Sequence, residues 1–353
     1  MTSVYIAVMF GAVVLLLIVV QAVWVRYYQL KLADDTSREK DRSFQPAATV
    51  ILCLRGRDPS LDQCLLSLLN LRYEQYRVVC VVDNENDPAC DAVRRYTSDP
   101  RLSISVATPR SRQRSLKCNS LIHAFQTIDD PITVLVDADT TVDPDWLADL
   151  VAPLQEPEVV ASSGNRWFVP QSDVGSQVRY FWNMAAAPQM YVYQVTWGGS
   201  LALKTDFVRD SGLLDAWSRS LFEDAAVPAF ARRHGKRVVM VPALLIPNGE
   251  STSTSGAANW MTRQLLDTRL YHRCFPMVMI HAFLVASALM GTLVATIVFA
   301  TQGLAGLTVA LASSLVLYAV FYSWACWQLE DSARVALQER GHEITSRKPG
   351  GPR

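Results

Sequence analysis

The chain has 353 residues, half of them hydrophobic and 19% charged, and that length allows about two folding units at roughly 100–200 residues each. Lys plus Arg and Asp plus Glu both number 33, so no broad basic field exists of the kind that drives binding to nucleic acid, and such a partner is excluded. The seven cysteines lack CxxC spacing and the five histidines lack an HExxH pattern, which argues against a disulfide frame or a common zinc hydrolase and reads the thiols as buried and reduced.

Mean hydropathy is +0.14, and the apolar excess lies in three runs. The first, Val4 to Val25, has no charge and only Gln21 as a strongly polar residue. At about 1.5 Å per residue it is long enough to cross a bilayer core of about 30 Å. Met1-Thr2-Ser3 carries no positive side chain and no small-residue cleavage site precedes Arg26, so residues 1–26 are read as an anchor and not a signal peptide. Arg26, Lys31, Arg38, Lys40 and Arg42 follow the run. The positive-inside rule therefore places the N-terminus outside and the next domain in the cytosol, beyond a linker over 27–46.

From Ala47 to Val241 short β-branched runs alternate with helical patterns, which predicts an α/β domain with a largely parallel sheet. The predicted strands are ATVILCL ending at Leu54, RVVCVVD ending at Asp83, LSISVA ending at Ala107, ITVLVDAD ending at Asp139 and EVVASS ending at Ser163. Asp87-Pro88 and Asp143-Pro144 each set a capping carboxylate before a proline suited to a first helical turn, and Gly235 is the expected stop of the helix ending in Arg232-Arg233-His234.

Ligands of open α/β sheets sit outside the carboxyl ends of the strands, and polar residues gather there. Arg55-Gly56-Arg57-Asp58 follows the first strand, Asp83-Asn84-Glu85-Asn86 the second and Asp137-Ala138-Asp139-Thr140 the fourth. Strand alternation puts Asp137 and Asp139 on one side of the chain, where two hard oxygen donors suit Mg2+ or Mn2+. Asp83 can accept from the N–H groups of a nucleobase or from ribose hydroxyls, although a turn residue with an Asx bond is the plainer reading. Lys117 opens the helix before the fourth strand, where an ammonium and helix N-terminal amides suit a diphosphate. Glu223-Asp224 precedes an apolar helical face; one acid serves as a favourable first-turn charge or, more sharply, Asp224 is a general base near an acceptor hydroxyl.

Residues 257–275 place Trp260, Leu265, Leu266, Leu270 and Phe275 among Arg263, Arg269 and Arg273, a pattern suited equally to an interfacial helix and to an ordinary packed one. Met277 to Ala300 and Leu304 to Trp327 form a predicted membrane hairpin over 276–328. The uncharged connector Thr301-Gln302-Gly303, with Arg334, Arg340, Arg347 and Lys348 in a tail over 329–353, returns that tail to the cytosol.

In order and spacing, VILCLRGRD, the aspartate of VVDNENDPA, LKCNSL, DADTTVDPDWL, WGGSLALK and LFEDAAVPAFARRHG together resemble a family-2 inverting glycosyltransferase with a GT-A domain, nearest the ceramide glucosyltransferase branch. The resemblance implies a GT-A domain over 47–256 that takes a nucleotide-sugar, with UDP-glucose or a similar donor expected, and a hydroxyl of a lipid acceptor. It implies Asp83 at the uracil or ribose, Lys117 at the nucleotide-sugar, Asp137 supporting the sugar or metal, Asp139 on the Mg2+ or Mn2+ ion, and Asp224 as catalytic base. Trp197, Gly198 and Gly199 would approach the sugar, and Arg55, Glu223 and Arg263 complete the expected substrate-binding set.

The family's Gln/Arg-x-x-Arg-Trp motif reads Arg263-Gln264-Leu265-Leu266-Asp267 here, so its first position fits and the Arg-Trp pair is absent, with Arg269 nearby out of register. A polysaccharide synthase, a polyprenyl-phosphate sugar transferase and a non-catalytic nucleotide-sugar-binding membrane protein remain the alternatives. The expected location is a bacterial inner membrane or a eukaryotic organelle membrane.

Overall fold

A computed structural model describes residues 1–107 and 113–342. Arg347 and Lys348, which entered the topology argument, lie outside the described residues. The chain opens with helix α1 (Thr2–Ser37) and continues through β1 (Ala48–Leu54), α2 (Leu61–Leu69), β2 (Tyr76–Val82), α3 (Pro88–Arg94), β3 (Leu102–Val106), α4 (Leu116–Ala124), β4 (Ile132–Val136), α5 (Trp146–Val151) and β5 (Val159–Phe168). There follow α6 (Val174–Tyr193), β6 (Ser200–Lys204), α7 (Thr205–Asp210), α8 (Leu213–Trp217), α9 (Val227–Arg233), β7 (Arg237–Asn248), α10 (Thr254–Tyr271), α11 (Phe275–Thr301) and α12 (Ala305–Glu339).

The seven strands form one sheet in the order β3-β2-β1-β4-β6-β5-β7. β1 pairs in parallel with β2 and β4, β2 with β3, and β5 with β7, whereas β6 runs antiparallel to both of its neighbours. The largely parallel α/β reading therefore stands. Strand alternation divides the core: Val50, Leu52, Val78, Cys80, Val134 and Val136 join the cluster under α2 and α5, while Ile51, Val79, Val81 and Leu135 face α4 and α8. Burial on both faces explains why these strands read as continuous apolar runs.

Several boundaries differ from the sequence reading. β2, β3 and β4 end short of their expected last residues Asp83, Ala107 and Asp139, at Val82, Val106 and Val136. β5 runs past Ser163 to Phe168. β6 and β7 were not predicted; β7 contains Pro242 and Pro247, which argue against a central strand. It is an edge strand, and its register with β5 breaks between the Ser163–Met240 and Asn165–Leu245 pairs, which leaves Pro242 outside the regular ladder.

Asp87 caps α3 by accepting from Ala89 N at 2.9 Å, as expected. Asp143 instead accepts from Asp145 N at 3.0 Å, and α5 starts at Trp146. Gly235, at φ +65°, ends α9 in a Schellman arrangement: Gly235 N donates to Arg232 O at 3.1 Å and Lys236 N to Ala231 O at 2.8 Å. Cys53, Cys274 and Cys326 are only partly buried, and all seven cysteines are free.

α1, α11 and α12 are long and apolar enough to cross a membrane, and their exposed side chains are largely Val, Leu, Ile, Met and aromatic residues. α1 and α12 continue as helix well beyond the apolar runs. Val25, Tyr28 and Leu32 of α1 and Ala325, Leu329, Ala333 and Ala336 of α12 pack with Trp167 and Phe168 of β5, Ala243 and Leu245 of β7, and Tyr180 and Met184 of α6. The segment read as a linker is thus helical through Ser37 and the segment read as a tail through Glu339. Their spacing of three and four residues makes each a single buried stripe.

Candidate active site

The site forms where β1, β2 and β4 end on the same side of the sheet. Asp83 follows β2 and Asp137 follows β4, with β1 between them, a lateral span of about 10 Å at the usual strand spacing. Arg55 Nε lies 4.0 Å from Asp83 Oδ2, with Arg55 two-thirds exposed and Asp83 largely covered. The turn after β1 is fixed by Asp87, whose carboxylate accepts from Gly56 N at 2.9 and 3.1 Å. Gly56 has φ +69°, a left-handed conformation that glycine reaches without strain.

The centre is a charge network. Lys117 Nζ, on the first turn of α4, donates to Asp137 Oδ1 at 2.7 Å and to Gly198 O at 3.3 Å, and pairs with Glu223 Oε1 at 2.6 Å. Burial works against the ammonium, but Asp137 and Glu223 outweigh it and hold its pKa well above the usual lysine value. Burial likewise opposes the Asp137 carboxylate, and Lys117 followed by Arg166 overcomes it, so that its pKa lies below the ordinary value. The amide of Cys118 is taken by the Ser115 cap at 3.1 Å, so Lys117 carries the α4 contribution to the network.

Asp224 differs. Its Oδ2 accepts from Gly198 N at 2.6 Å and its Oδ1 from Ala225 N at 2.8 Å, while Thr196 Oγ1 donates to its carbonyl at 2.8 Å. Burial first and then the Glu223 charge push its pKa up to about 7, against the pull of Lys117. The two glycines allow this approach. A Cβ on Gly198 would strike Glu223 Oε1 and stand 3.2 Å from Asp224 Oδ2; one on Gly199 would strike the Trp197 indole and stand 2.6 Å from Asp137 Oδ2.

Arg166, on the unpredicted extension of β5, donates to Asp137 Oδ2 at 3.2 Å and Asp139 Oδ1 at 2.9 Å, and its guanidinium lies 4.7 Å from the Trp197 ring centroid. Asn248, at the end of β7, donates to Asp139 Oδ2 at 3.2 Å. Gly164-Asn165 carries no apolar alternation that would have extended the strand to Arg166 from sequence. Among the described residues no group of three His, Cys, Asp or Glu side chains is placed to hold a metal. A Mg2+ or Mn2+ ion needs fewer protein ligands when substrate phosphates and water supply the rest, and the Arg166 cation already bridges the two carboxylates. Asp137 and Asp139 therefore fit as the protein's share of such a site.

α10 packs alongside the site. At one end Trp260 packs edge-on against Phe168 and Trp182, at 5.2 and 5.1 Å between centroids. At the other Tyr271 meets Phe222 at 6.2 Å and its hydroxyl accepts from Leu221 N at 3.0 Å. Between them Arg263 acts electrostatically on Asp137 and on Asp267. Asp267 was not anticipated. Its Oδ1 is buried with no hydrogen-bond partner among the described residues, and burial, then Asp224 and Glu223, raise its pKa to about 9. Its position in place of the family's tryptophan was the available signal. Arg269 lies elsewhere, in a groove with Arg232, Arg233 and Arg273.

The structure thus brings Lys117, Asp137, Asp139, Trp197, Gly198, Gly199, Glu223 and Asp224 into one network. Asp83 stands two strands from β4 and Arg55 one strand from it, and Arg263 acts from α10.

A curated N-acetylglucosaminyltransferase from Bradyrhizobium elkanii is 29% identical over 123 residues, which are 34% of this chain and 65% of that protein. A mannosyltransferase, PcManGT from Pyrobaculum calidifontis, in complex with GDP-Man and Mn2+, superposes with a TM-score of 0.56 at 19% identity, covering 96% of this chain and all of that one. That likeness shows the fold, a GT-A glycosyltransferase domain; the long apolar helices at its two ends are seen in this chain itself. The family model described as glycosyl transferase family 21 matches residues 12–338. Since the match spans the apolar helices as well as the sheet and its acids, the chain belongs to glycosyl transferase family 21, the ceramide glucosyltransferase family that its motifs resemble.

Proposed function

We propose that this glycosyltransferase transfers a sugar from a nucleotide-sugar, with UDP-glucose or a similar donor, to the hydroxyl of a ceramide-like or other lipid on the cytosolic face of its membrane, with inversion. The observation that carries the reading is Asp224: a buried carboxyl, held by the Gly198 amide at 2.6 Å and brought to a pKa of about 7, beside a cation network at the strand ends. A base poised near neutrality is what proton removal from a hydroxyl requires. Asp224 takes the acceptor proton as the acceptor oxygen bonds to the anomeric carbon; the bond from that carbon to the diphosphate breaks, and the nucleoside diphosphate leaves from the opposite face.

Lys117 and Arg166 supply positive charge toward the diphosphate, and Asp83 with Arg55 meets the nucleoside. Arg263 approaches from α10, and Trp197 with the bare backbone of Gly198 and Gly199 receives the sugar. Asp137 and Asp139 would hold a divalent ion, which when bound would neutralise charge on the leaving group. The mannosyltransferase of similar fold binds GDP-Man and Mn2+, which supports a nucleotide-sugar and a divalent metal here. Helices entering the membrane on both sides of the domain support a lipid acceptor, because holding enzyme and acceptor on one surface shortens their search.

The test is incubation of membranes carrying the full chain with radiolabelled UDP- and GDP-sugars and Mg2+ or Mn2+, followed by organic extraction, alongside Asp139→Ala and Asp224→Asn. Label in an alkali-stable, mild-acid-stable glycolipid with the native chain and in neither variant is the expected result for a ceramide-type acceptor. Acid-labile label would indicate a polyprenyl-phosphate acceptor, label in insoluble polymer a synthase, and nucleotide binding without transfer a binding protein.

A further inference from the structure

Outside the catalytic pocket, the C-terminal turn of α10 and the end of α9 enclose an open groove of about 600 Å³ containing Arg232, Arg233, Arg269 and Arg273. No carboxylate lines it among the described residues. None of these four arginines takes part in an ion pair within 4.0 Å among the described residues. The positive field is felt within the groove. Burial and then Arg273 lower the pKa of Arg232, with Arg233 adding to the effect against Cys274. Burial, Arg232 and Arg273 do the same to His272, opposed by the Tyr193 and Gln194 carbonyls. Like charges gathered without a counter-charge cost free energy unless an anion joins them.

We propose that this groove binds the phosphate of an anionic membrane lipid. Planar guanidinium forks match phosphate oxygens in pairs. A lipid is favoured over a free phosphate by position: Arg273 stands just before α11 (Phe275–Thr301), a helix long and apolar enough to span a membrane. Met277, Met279 and Ile280 are exposed on α11, and Leu266 and Leu270 on α10, which offers acyl chains an apolar path beside the head group. Tyr271, on the groove wall, holds the loop before Glu223 through Leu221 N at 3.0 Å, so the lipid sits against the support of the acid loop. The inference rests on the membrane reading of α11 and not on the identity of the transferred sugar.

The experiment is native mass spectrometry of the purified full-length chain in detergent, with dioctanoyl phosphatidylglycerol and dioctanoyl phosphatidylcholine at equal concentrations. Retention of phosphatidylglycerol about tenfold or more over phosphatidylcholine is expected. The preference should fall toward parity in Arg232→Gln/Arg273→Gln and again in Arg233→Gln/Arg269→Gln, the second pair serving if the first does not fold. Equal retention of both lipids by the native chain, or a preference unchanged in a folded variant, would overturn the proposal. Displacement of the lipid by inorganic phosphate at the lipid's own concentration would assign the groove to free phosphate and overturn it as well. Lipid retention is read without sugar transfer, so a failure of the proposed reaction leaves the result standing.

Discussion

Asp224 and Asp267 are raised by burial toward different protonation states at neutral pH, about 7 for one and about 9 for the other. Asp224 works as a carboxylate, which forms as pH rises through about 7. Accordingly kcat/KM should fall about tenfold per pH unit below that value and level off above it. Asp224→Asn, which keeps shape and removes the base, should lose about a hundredfold or more in kcat while nucleotide affinity, measured by titration calorimetry, stays within about threefold. Asp267 is neutral at pH 7 and gains its charge only as pH passes about 9. That charge repels a diphosphate, so the donor KM should climb above about pH 9 in the native chain and remain flat in Asp267→Asn. A KM that rises equally in both would remove Asp267 from the site. Asp224 was legible as an acid before an apolar helical face; Asp267 was not, since only docking of α10 buries it.

The elements around the site are joined by a second charge cluster. Asp149 on α5 is fully covered and accepts from Arg42 Nε at 2.7 Å and from Arg340 Nη1 at 2.7 Å, with Lys40 Nζ at 3.5 Å. Arg340 also holds Asp143 at 2.8 Å. The residue after α12, the segment before β1 and α5 are thus tied together. Burial opposes the Asp149 carboxylate, but Arg42, Lys40 and Arg340 win and its pKa is lowered. With a depressed folded pKa, its stabilisation is present above the ordinary carboxylate value and is lost as pH falls through the folded one. Asp149→Ala strands buried and half-buried cations and should cost about 3–5 kcal/mol, visible as a lower midpoint in thermal unfolding of the detergent-solubilised chain. A loss under about 1 kcal/mol would show the cluster to be solvated and weak. None of this was readable from residues so far apart along the chain.

For the molecule entire, α1 and α12 enter the catalytic domain as continuous helices: Asp35 Oδ2 accepts from Ala243 N of β7 at 2.9 Å, and Glu330 Oε2 accepts from Tyr180 OH at 2.7 Å. The edge of the sheet is covered by the same helices whose apolar runs are long enough to cross a membrane. If the basic flanks set topology, a fluorescent-protein fusion after the C-terminus should glow and an alkaline phosphatase fusion at the same point should be inactive. The reverse pattern would place the catalytic domain outside.

Local pattern was enough for the membrane runs, the strands β1 to β5 and the acids at their ends, because hydropathy and two-residue alternation act within a single element. It also marked Lys117, the paired glycines and the Glu223-Asp224 step. Arg166 and Asn248 came into view only with the fold, since they reach Asp139 from β5 and β7, strands whose extent depends on pairing and not on composition. The helical course of residues 27–37 and 329–339 was likewise decided by packing against Trp167, Tyr180 and Leu245. So was the separation of Arg263 from Arg269. They lie six positions apart on one helix, and only the surfaces it packs against set one over the catalytic acids and the other among uncompensated arginines.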